Sequence, residues 1–133
     1  MSFLEWDDSL DVGVDFCNDQ HRILISYMNQ LYDLDEKEAS FLEKLAILDK
    51  LGNSVVTHFR EEEEYMQKIG FPGFAVHKAI HEDLLSKFKQ YDEAFRKDKE
   101  FDAKFFGFLR LWLTAHIRGI DTKYAKHQQD KAS

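Results

Sequence analysis

The sequence predicts an all-α protein, an up-down-up-down four-helix bundle with an N-terminal arm. The 133 residues include only one proline and six glycines, which favours few turns and long regular elements. Apolar residues recur at spacings of three and four along four separate segments, which is the period of an amphipathic helix. Short connections join these segments, and short connections are typical of antiparallel neighbours in a bundle.

The chain has the length of one domain, so residues 1–133 are interpreted as a single domain. We divide it into an arm at 1–17, a bundle at 18–126 and a polar tail at 127–133. Within the arm, we expect the "VGV" at 12–14 to be locally extended and Trp6 to pack on the bundle.

Capping residues and turn residues delimit the four predicted helices. Asn18 or Asp19 is the expected N-cap of the first helix. The second helix begins at Ser40, where "SFLE" has the spacing of a capping box. "GFPGF" at 70–74 turns the chain, because proline and glycine interrupt a helix. The predicted helices span about 18–36, 40–69, 74–96 and 101–126.

Composition argues against several classes of protein. The net charge of −7 argues against a nucleic-acid partner. The single cysteine, Cys17, excludes a disulfide framework and zinc sites built on paired cysteines. The acidic N-terminus lacks the pattern of a signal peptide, and no apolar run approaches the roughly 20 residues of a membrane span. We therefore expect a cytoplasmic protein without membrane insertion.

Polar residues occupy several positions on the inward seams where apolar residues are expected. The second and third helices are antiparallel across the "GFPG" turn, so their polar positions fall within about one helical turn of the same depth. One buried histidine is more often a hydrogen-bonded core residue than a ligand, but five at matching depth indicate a metal site. The inward polar residues of the four helices are His21, His58, Glu62, His77, His81 and His116.

The seam of the second helix separates Glu62 from the rest of the "EEEE" run at 61–64. At about 100° per residue, Glu62 lies roughly 40° from His58 around the helix, and Glu61 lies about 60° off on the other side. An unpaired carboxylate on this apolar seam would be very costly to bury. Glu62 is therefore predicted to be paired or bound to a metal, and the other three glutamates are expected to stay in solvent.

The ligand types restrict the metal. Imidazole and carboxylate suit iron, zinc or copper better than magnesium or calcium, and five histidines are too many for one zinc ion. Two six-coordinate irons with one oxygen bridge and two carboxylate bridges would leave one position open for dioxygen. Asp121 is the candidate for the second carboxylate. It follows His116 by five residues, about 140° around an ideal helix, so a π-bulge or local unwinding would be needed.

The sequence resembles the hemerythrin-like family, and within it the single-domain bacteriohemerythrins. The motifs that carry the resemblance are "W…VGV…DQH" at 6–21, "HFREE" at 58–62, "GFPGFAVHKAIH" at 70–81 and "WLTAHIRGID" at 112–121. The resemblance implies a four-helix bundle that binds dioxygen reversibly at two non-haem iron ions with an oxo or hydroxo bridge.

The resemblance also implies a role for each candidate ligand. His77, His81 and His116 would hold the saturated iron, and His21 and His58 would hold the iron with the open site. Glu62 and Asp121 would be the two bridges, which supports the position that spacing alone leaves in doubt. His127 lies in the polar tail and is not expected to be a ligand.

Reversible binding requires an apolar, dry pocket beside the open iron. Its candidate wall consists of apolar residues that neighbour the predicted ligands in sequence: Trp112, Leu113, Ile117, Leu24 and Phe59. Family members commonly carry Ile-Asp where this chain has Cys17 and Asn18, so a carboxylate that could support His21 is missing there. We expect Cys17 to be a small apolar filler.

We predict an oxygen-binding protein and not an enzyme: an oxygen carrier, a store, or a supplier to an oxygen-using enzyme. The alternatives are an oxygen or redox sensor with a signalling partner, a di-iron oxidase or peroxidase, and a bundle with zinc or no metal. Ferritin-like oxidases use more carboxylates than the two of the predicted site, which favours binding over oxidation. The chain is expected to be a monomer or a weak oligomer.

Overall fold

Four helices make up the bundle. The structure, a computed structural model, describes residues 3–6, 10 and 15–117. The helices are α1 (Asp15–Glu36), α2 (Phe41–Lys68), α3 (Phe74–Asp98) and α4 (Phe105–His116). The described residues include no strand, so the predicted all-α four-helix bundle is confirmed.

The start of α1 differs from the prediction. The helix begins at Asp15, so Asn18 lies inside its first turn and the predicted N-cap at Asn18 or Asp19 is wrong. The asparagine and the neighbouring Cys17 are both buried, so the first turn of α1 packs against the core. The "VGV" at 12–14 lies outside the described residues.

The predicted cap of α2 is confirmed. Ser40 has an extended backbone, and its Oγ accepts a hydrogen bond of 3.2 Å from the backbone N–H of Glu43. After α2, Gly70 adopts a φ of 66°, which lets the chain turn toward α3. α3 ends where Lys99 adopts a left-handed conformation and donates its backbone N–H to Phe95.

The start of α4 is later than predicted. Residues 101–104 form a turn before the helix, and the side chain of Asp102 accepts a hydrogen bond of 2.8 Å from the backbone N–H of Lys104. Phe101 stacks on Phe95 at 4.1 Å and on Phe105 at 5.0 Å, so this connection is held by aromatic packing. The predicted start at residue 101 ignored the ability of an aspartate to close a turn on its own backbone.

Apolar residues of all four helices form one core. Each helix buries an inward seam, although some of its large residues are only partly buried: Met66 on α2 is fully buried, whereas Tyr65 on α2 and Tyr91 on α3 are half-buried. Burial of each large side chain stabilises the fold by about 1.5–3 kcal/mol. The largest fully buried apolar side chains are Phe59, Phe95, Phe105, Leu10, Leu24, Met28, Leu31, Leu48, Leu51, Met66 and Leu109.

The described part of the arm is docked onto α1 and α4. Leu4 exchanges two hydrogen bonds with the side chain of Asn29, at 2.7 and 2.8 Å. Arg110 donates to the carbonyl of Phe3 at 2.9 Å. Trp6 packs against the core, as predicted. None of the helices in the described ranges is long and apolar enough to cross a membrane.

Candidate metal centre

Five imidazoles and one carboxylate meet in a single buried layer of the bundle. α1 contributes His21, α2 contributes His58 and Glu62, α3 contributes His77 and His81, and α4 contributes His116. Their exposed fractions lie between 0 and 6%. On α2 and on α3 the two residues are four apart, which places both on one face of the helix. The structure therefore brings together six of the seven predicted ligands.

The carboxylate of Glu62 lies between two sets of histidines. Its Oε1 atom lies 2.9 Å from Nε2 of His77 and 3.0 Å from Nε2 of His81. Its Oε2 atom lies 3.0 Å from Nε2 of His58. The two oxygens of one side chain thus face different helices, which is the arrangement that a bridging carboxylate requires.

The donor atoms form two groups that share this glutamate. One group contains Glu62 with His77, His81 and His116, and the other contains Glu62 with His21 and His58. Within each group the potential ligand atoms all lie within 4.8 Å of one another. The partition into three histidines and two histidines is the one that the resemblance implies, although the role of these residues as ligands stays a prediction.

Short distances separate the donor atoms of the two-histidine group. Nε2 of His58 is 3.0 Å from Nε2 of His21 and 3.0 Å from Oε2 of Glu62, whereas the latter two atoms are 3.9 Å apart. All three donor atoms therefore lie close enough together to be held by one metal ion.

The three-histidine group has a wider range of short distances. Oε1 of Glu62 lies 2.9 Å from His77 and 3.0 Å from His81, but 3.9 Å from Nε2 of His116. Nε2 of His116 is 3.3 Å from that of His77 and 3.3 Å from that of His81. Both groups therefore have the donor types that suit a transition metal such as iron.

Glu62 is a charged group in a fully buried position. Burial alone would raise the pKa of its carboxyl, but the charge of His58 and hydrogen bonds from the surrounding imidazoles hold that pKa well below its ordinary value. A carboxylate with no exposed surface is retained only where positive charge compensates it. Metal cations bound by the two histidine groups would supply that positive charge.

The outer nitrogen of His58 is held by a side chain that the sequence reasoning did not select. Nε2 of His58 faces Glu62, so Nδ1 is the nitrogen that points outward. This Nδ1 donates to Oε1 of Gln20 at 2.6 Å. The Nε2 amide of Gln20 in turn donates to Oε2 of Glu61. Glu61 is half-buried, so it is only partly in solvent, and its carboxylate also fixes the amide that orients His58.

The outer nitrogen of His81 has a different partner. Its Nδ1 donates to Oε2 of Glu63 at 3.1 Å, and the side chain of Glu63 is 21% exposed. Glu63 is thus only partly in solvent, whereas Glu64 is exposed as predicted. A general rule could have found both contacts, because a ligating imidazole donates its second N–H to a nearby acceptor.

All five predicted pocket residues are buried, with exposed fractions between 0 and 6%. Phe59 stacks on His81, with ring centroids 3.8 Å apart and planes 5° apart, and its ring lies 5.7 Å from that of Trp112. Trp112 and His116 line a cavity of about 370 Å³ between α3 and α4. These contacts place Phe59 and Trp112 beside the three-histidine group, and the pocket assignment stays a prediction.

Asp121 lies outside the described residues, as do Gly119 and His127. At Ile117, the last described residue, φ is −62° and ψ is −52°, and the backbone N–H still bonds to the carbonyl of Leu113. The π-bulge or local unwinding that the five-residue spacing from His116 requires therefore stays a prediction.

A bundle whose core contains a buried layer of histidines and a shared carboxylate defines a metal-binding four-helix protein. The chain belongs to the hemerythrin family: the family model "Hemerythrin HHE cation binding domain" matches residues 12–127. The family is mainly oxygen-binding, and hemerythrins bind dioxygen in general. Family membership and the histidine–glutamate cluster together suggest that this chain binds iron.

Curated relatives cover most of the chain. It is 32% identical to a bacteriohemerythrin of Stenotrophomonas maltophilia (strain R551-3), over 94% of this chain and 81% of the relative. It is 32% identical to a bacteriohemerythrin of Methylococcus capsulatus (strain Bath), over 93% of this chain and 95% of the relative. A hemerythrin-like protein of Naegleria gruberi is 35% identical over 90% and 88%, respectively.

Solved structures agree with these relatives. The crystal structure of a wild-type hemerythrin superimposes with a TM-score of 0.85 at 32% identity, covering 92% of this chain and 95% of that chain. The crystal structure of a hemerythrin point mutant superimposes with a TM-score of 0.87 at 31% identity, covering 95% and 97%. The described fold is therefore the fold of solved hemerythrins.

Proposed function

We propose that this protein binds dioxygen reversibly at a non-haem di-iron centre. The observation that carries the proposal is the position of Glu62, whose two oxygens face two separate histidine groups at 2.9 to 3.0 Å. One iron would be held by His77, His81, His116 and Oε1 of Glu62. The other would be held by His21, His58 and Oε2 of Glu62, and Asp121 would be the second bridging carboxylate.

The unequal number of histidines explains where dioxygen would bind. The two-histidine group offers one imidazole fewer than the three-histidine group. Two irons with an oxo or hydroxo bridge would supply two electrons and one open position for dioxygen. The chain itself would fix the ligands in four rigid helices and leave that position facing the apolar core.

Apolar side chains would keep water and proton donors away from the open position. Leu24, Leu113 and Ile117 neighbour predicted ligands in sequence and are at most 2% exposed. Such a wall favours release of dioxygen in its original form. Water and polar donors would instead help the bound oxygen leave as a reduced product.

The donor set favours reversible binding over oxidation chemistry. The described cluster contains five imidazoles and one carboxylate, whereas ferritin-like oxidases build their sites from more carboxylates. Carboxylates stabilise high-valent iron more than neutral imidazoles do. We therefore propose a carrier, a store or a supplier of oxygen, and not an enzyme.

An oxygen cycle tests this function. The purified chain is analysed for iron, reduced without oxygen, exposed to oxygen and then returned to an oxygen-free atmosphere. We expect two irons per chain and a visible spectrum that appears with oxygen and disappears when oxygen is removed. Prompt and irreversible oxidation would favour an oxidase or redox sensor, and stoichiometric zinc without an oxygen response would contradict the di-iron proposal.

A further inference from the structure

One histidine of each group differs from the other in the charge of the side chain behind it. His81, in the three-histidine group, donates its outer N–H to a carboxylate, Glu63. His58, in the two-histidine group, donates its outer N–H to a neutral amide, Gln20. Nothing in the ligand set itself requires this difference, since both partners could be either glutamine or glutamate.

The amide behind His58 has a fixed orientation. Oε1 of Gln20 accepts from His58 at 2.6 Å, and its Nε2 donates to Glu61. The carboxylate of Glu61 reaches His58 only through the amide of Gln20, whereas the carboxylate of Glu63 contacts His81 directly. The negative charge of Glu61 is therefore further from its histidine than the charge of Glu63 is. Gln20, His58 and Glu61 line a surface cavity of about 310 Å³, so water also screens this charge.

The carboxylate behind His81 acts at closer range. Its oxygen lies 3.1 Å from Nδ1 of His81, and Phe59 stacks on the face of that ring at 3.8 Å. The side chain of Glu63 is only 21% exposed, so solvent screens it partially. A carboxylate that accepts the outer N–H of an imidazole makes the inner nitrogen a stronger donor to a metal.

We propose that Glu63 and Gln20 make the two iron positions electronically unequal, with the higher positive charge favoured at the three-histidine group. This inference rests on the proposed di-iron function. The carboxylate contact through His81 stabilises the oxidised iron at that position. The neutral amide behind His58 does not stabilise the oxidised iron of the two-histidine group in this way. That iron is therefore easier to keep reduced, and dioxygen binds to reduced iron. Glu63 and Gln20 are thus positioning residues that act through their histidines.

Two variants test the proposal in the iron-loaded chain. Glu63→Gln keeps the shape and the hydrogen bond to His81 but removes the charge. The double variant Gln20→Glu with Glu61→Gln moves a charge into contact with His58 while the net charge and the side-chain hydrogen bond are retained. Glu64→Gln is the matched control, because it removes one charge from an exposed neighbour on the same helix.

The readouts are iron per chain, measured first, and the midpoint potential by spectroelectrochemical titration. We expect Glu63→Gln to raise the midpoint by the equivalent of a tenfold change in the equilibrium constant, about 59 mV for one electron. The double variant should lower the midpoint, and Glu64→Gln should leave it unchanged. Metal content should stay near two irons per chain in the double variant and in the control.

Several results would overturn the proposal. Equal shifts in Glu63→Gln and Glu64→Gln would mean that only the overall charge matters. The double variant should have a lower midpoint potential. An unchanged or raised midpoint would refute an effect of charge behind His58, even if Glu63→Gln loses its iron. Absence of iron from the unmodified chain would instead remove the proposed function on which the inference rests. Two irons with no shift in any variant would remove the inference alone.

Discussion

Glu62 lies one helical turn after His58 on α2, and its Oε2 atom is 3.0 Å from Nε2 of that histidine. The other oxygen of the same carboxylate faces α3, 2.9 Å from Nε2 of His77. One buried side chain therefore connects two groups of histidines that come from four helices. Removal of this carboxylate should affect both groups, whereas removal of a single histidine should affect one.

Substitution of Glu62 by alanine should remove most of the bound metal. The change deletes the only carboxylate shared by the two groups in the described part of the chain. Iron per chain after purification measures the effect, and Glu64→Ala is the control because Glu64 is exposed on the same helix. We expect at least a tenfold loss of metal affinity for Glu62→Ala and no loss for the control. Equal metal content in both variants would refute the bridging role.

Substitution of Asp121 by alanine should lower the metal content in the same direction as Glu62→Ala. We propose Asp121 as the second bridge, and its five-residue spacing from His116 would require a π-bulge or local unwinding between the two residues. Asp33→Ala, on an exposed position of α1, is the matched control. Full iron occupancy in the Asp121 variant would show that another group completes the coordination.

Periodicity was sufficient to predict the fold and the six described residues of the site. The spacing of three and four places a side chain on a helix face, and an uninterrupted seam such as Leu51, Val55, His58 and Glu62 identifies buried positions. Periodicity predicts these residues because the angle of a residue around the helix decides whether its side chain is buried.

The side chains behind the ligands could not be found in that way. Gln20 and Glu63 lie beside the seam, where the helix angle is compatible with either solvent or a contact to a neighbouring helix. Their role depends on which way the rings of His58 and His81 face, which is set by packing between helices. The start of α1 was missed for a related reason, because burial of Asn18 in the core outweighs its preference for a cap.

Substitution of Ser40 by alanine should destabilise the protein by about 0.5–1 kcal/mol, since its Oγ satisfies the free backbone N–H of Glu43 at the start of α2. Ser86→Ala is the matched control. Ser86 is exposed inside α3, where alanine is the better helix former, so this change should be neutral or stabilising by about 0.5 kcal/mol. Urea unfolding of both variants in the same metal state gives the two free energies. A loss of stability in both would argue against the cap.

Substitution of Asn29 by alanine should release the arm from α1. The side chain of Asn29 satisfies both the N–H and the carbonyl of Leu4, so the variant should lose about 1–2 kcal/mol in the free energy of unfolding. The fluorescence of Trp6 should also change, because this residue packs on the bundle with the arm. Gln30→Ala, at the next and exposed position, should stay within about 0.5 kcal/mol of the parent.

Removal of metal should lower the thermal midpoint of the bundle. Without cations, a fully buried carboxylate and five nearly buried imidazoles must satisfy one another at a cost in desolvation. A metal that binds only the folded state adds about 3 kcal/mol when its free concentration exceeds the dissociation constant about a hundredfold.

Thermal unfolding with and without a strong chelator measures the difference. The parent chain should lose several degrees on chelation, and Glu62→Ala should show little response. An unchanged midpoint in the parent would mean that the histidine layer is stable by its own hydrogen bonds and that metal contributes nothing to the fold.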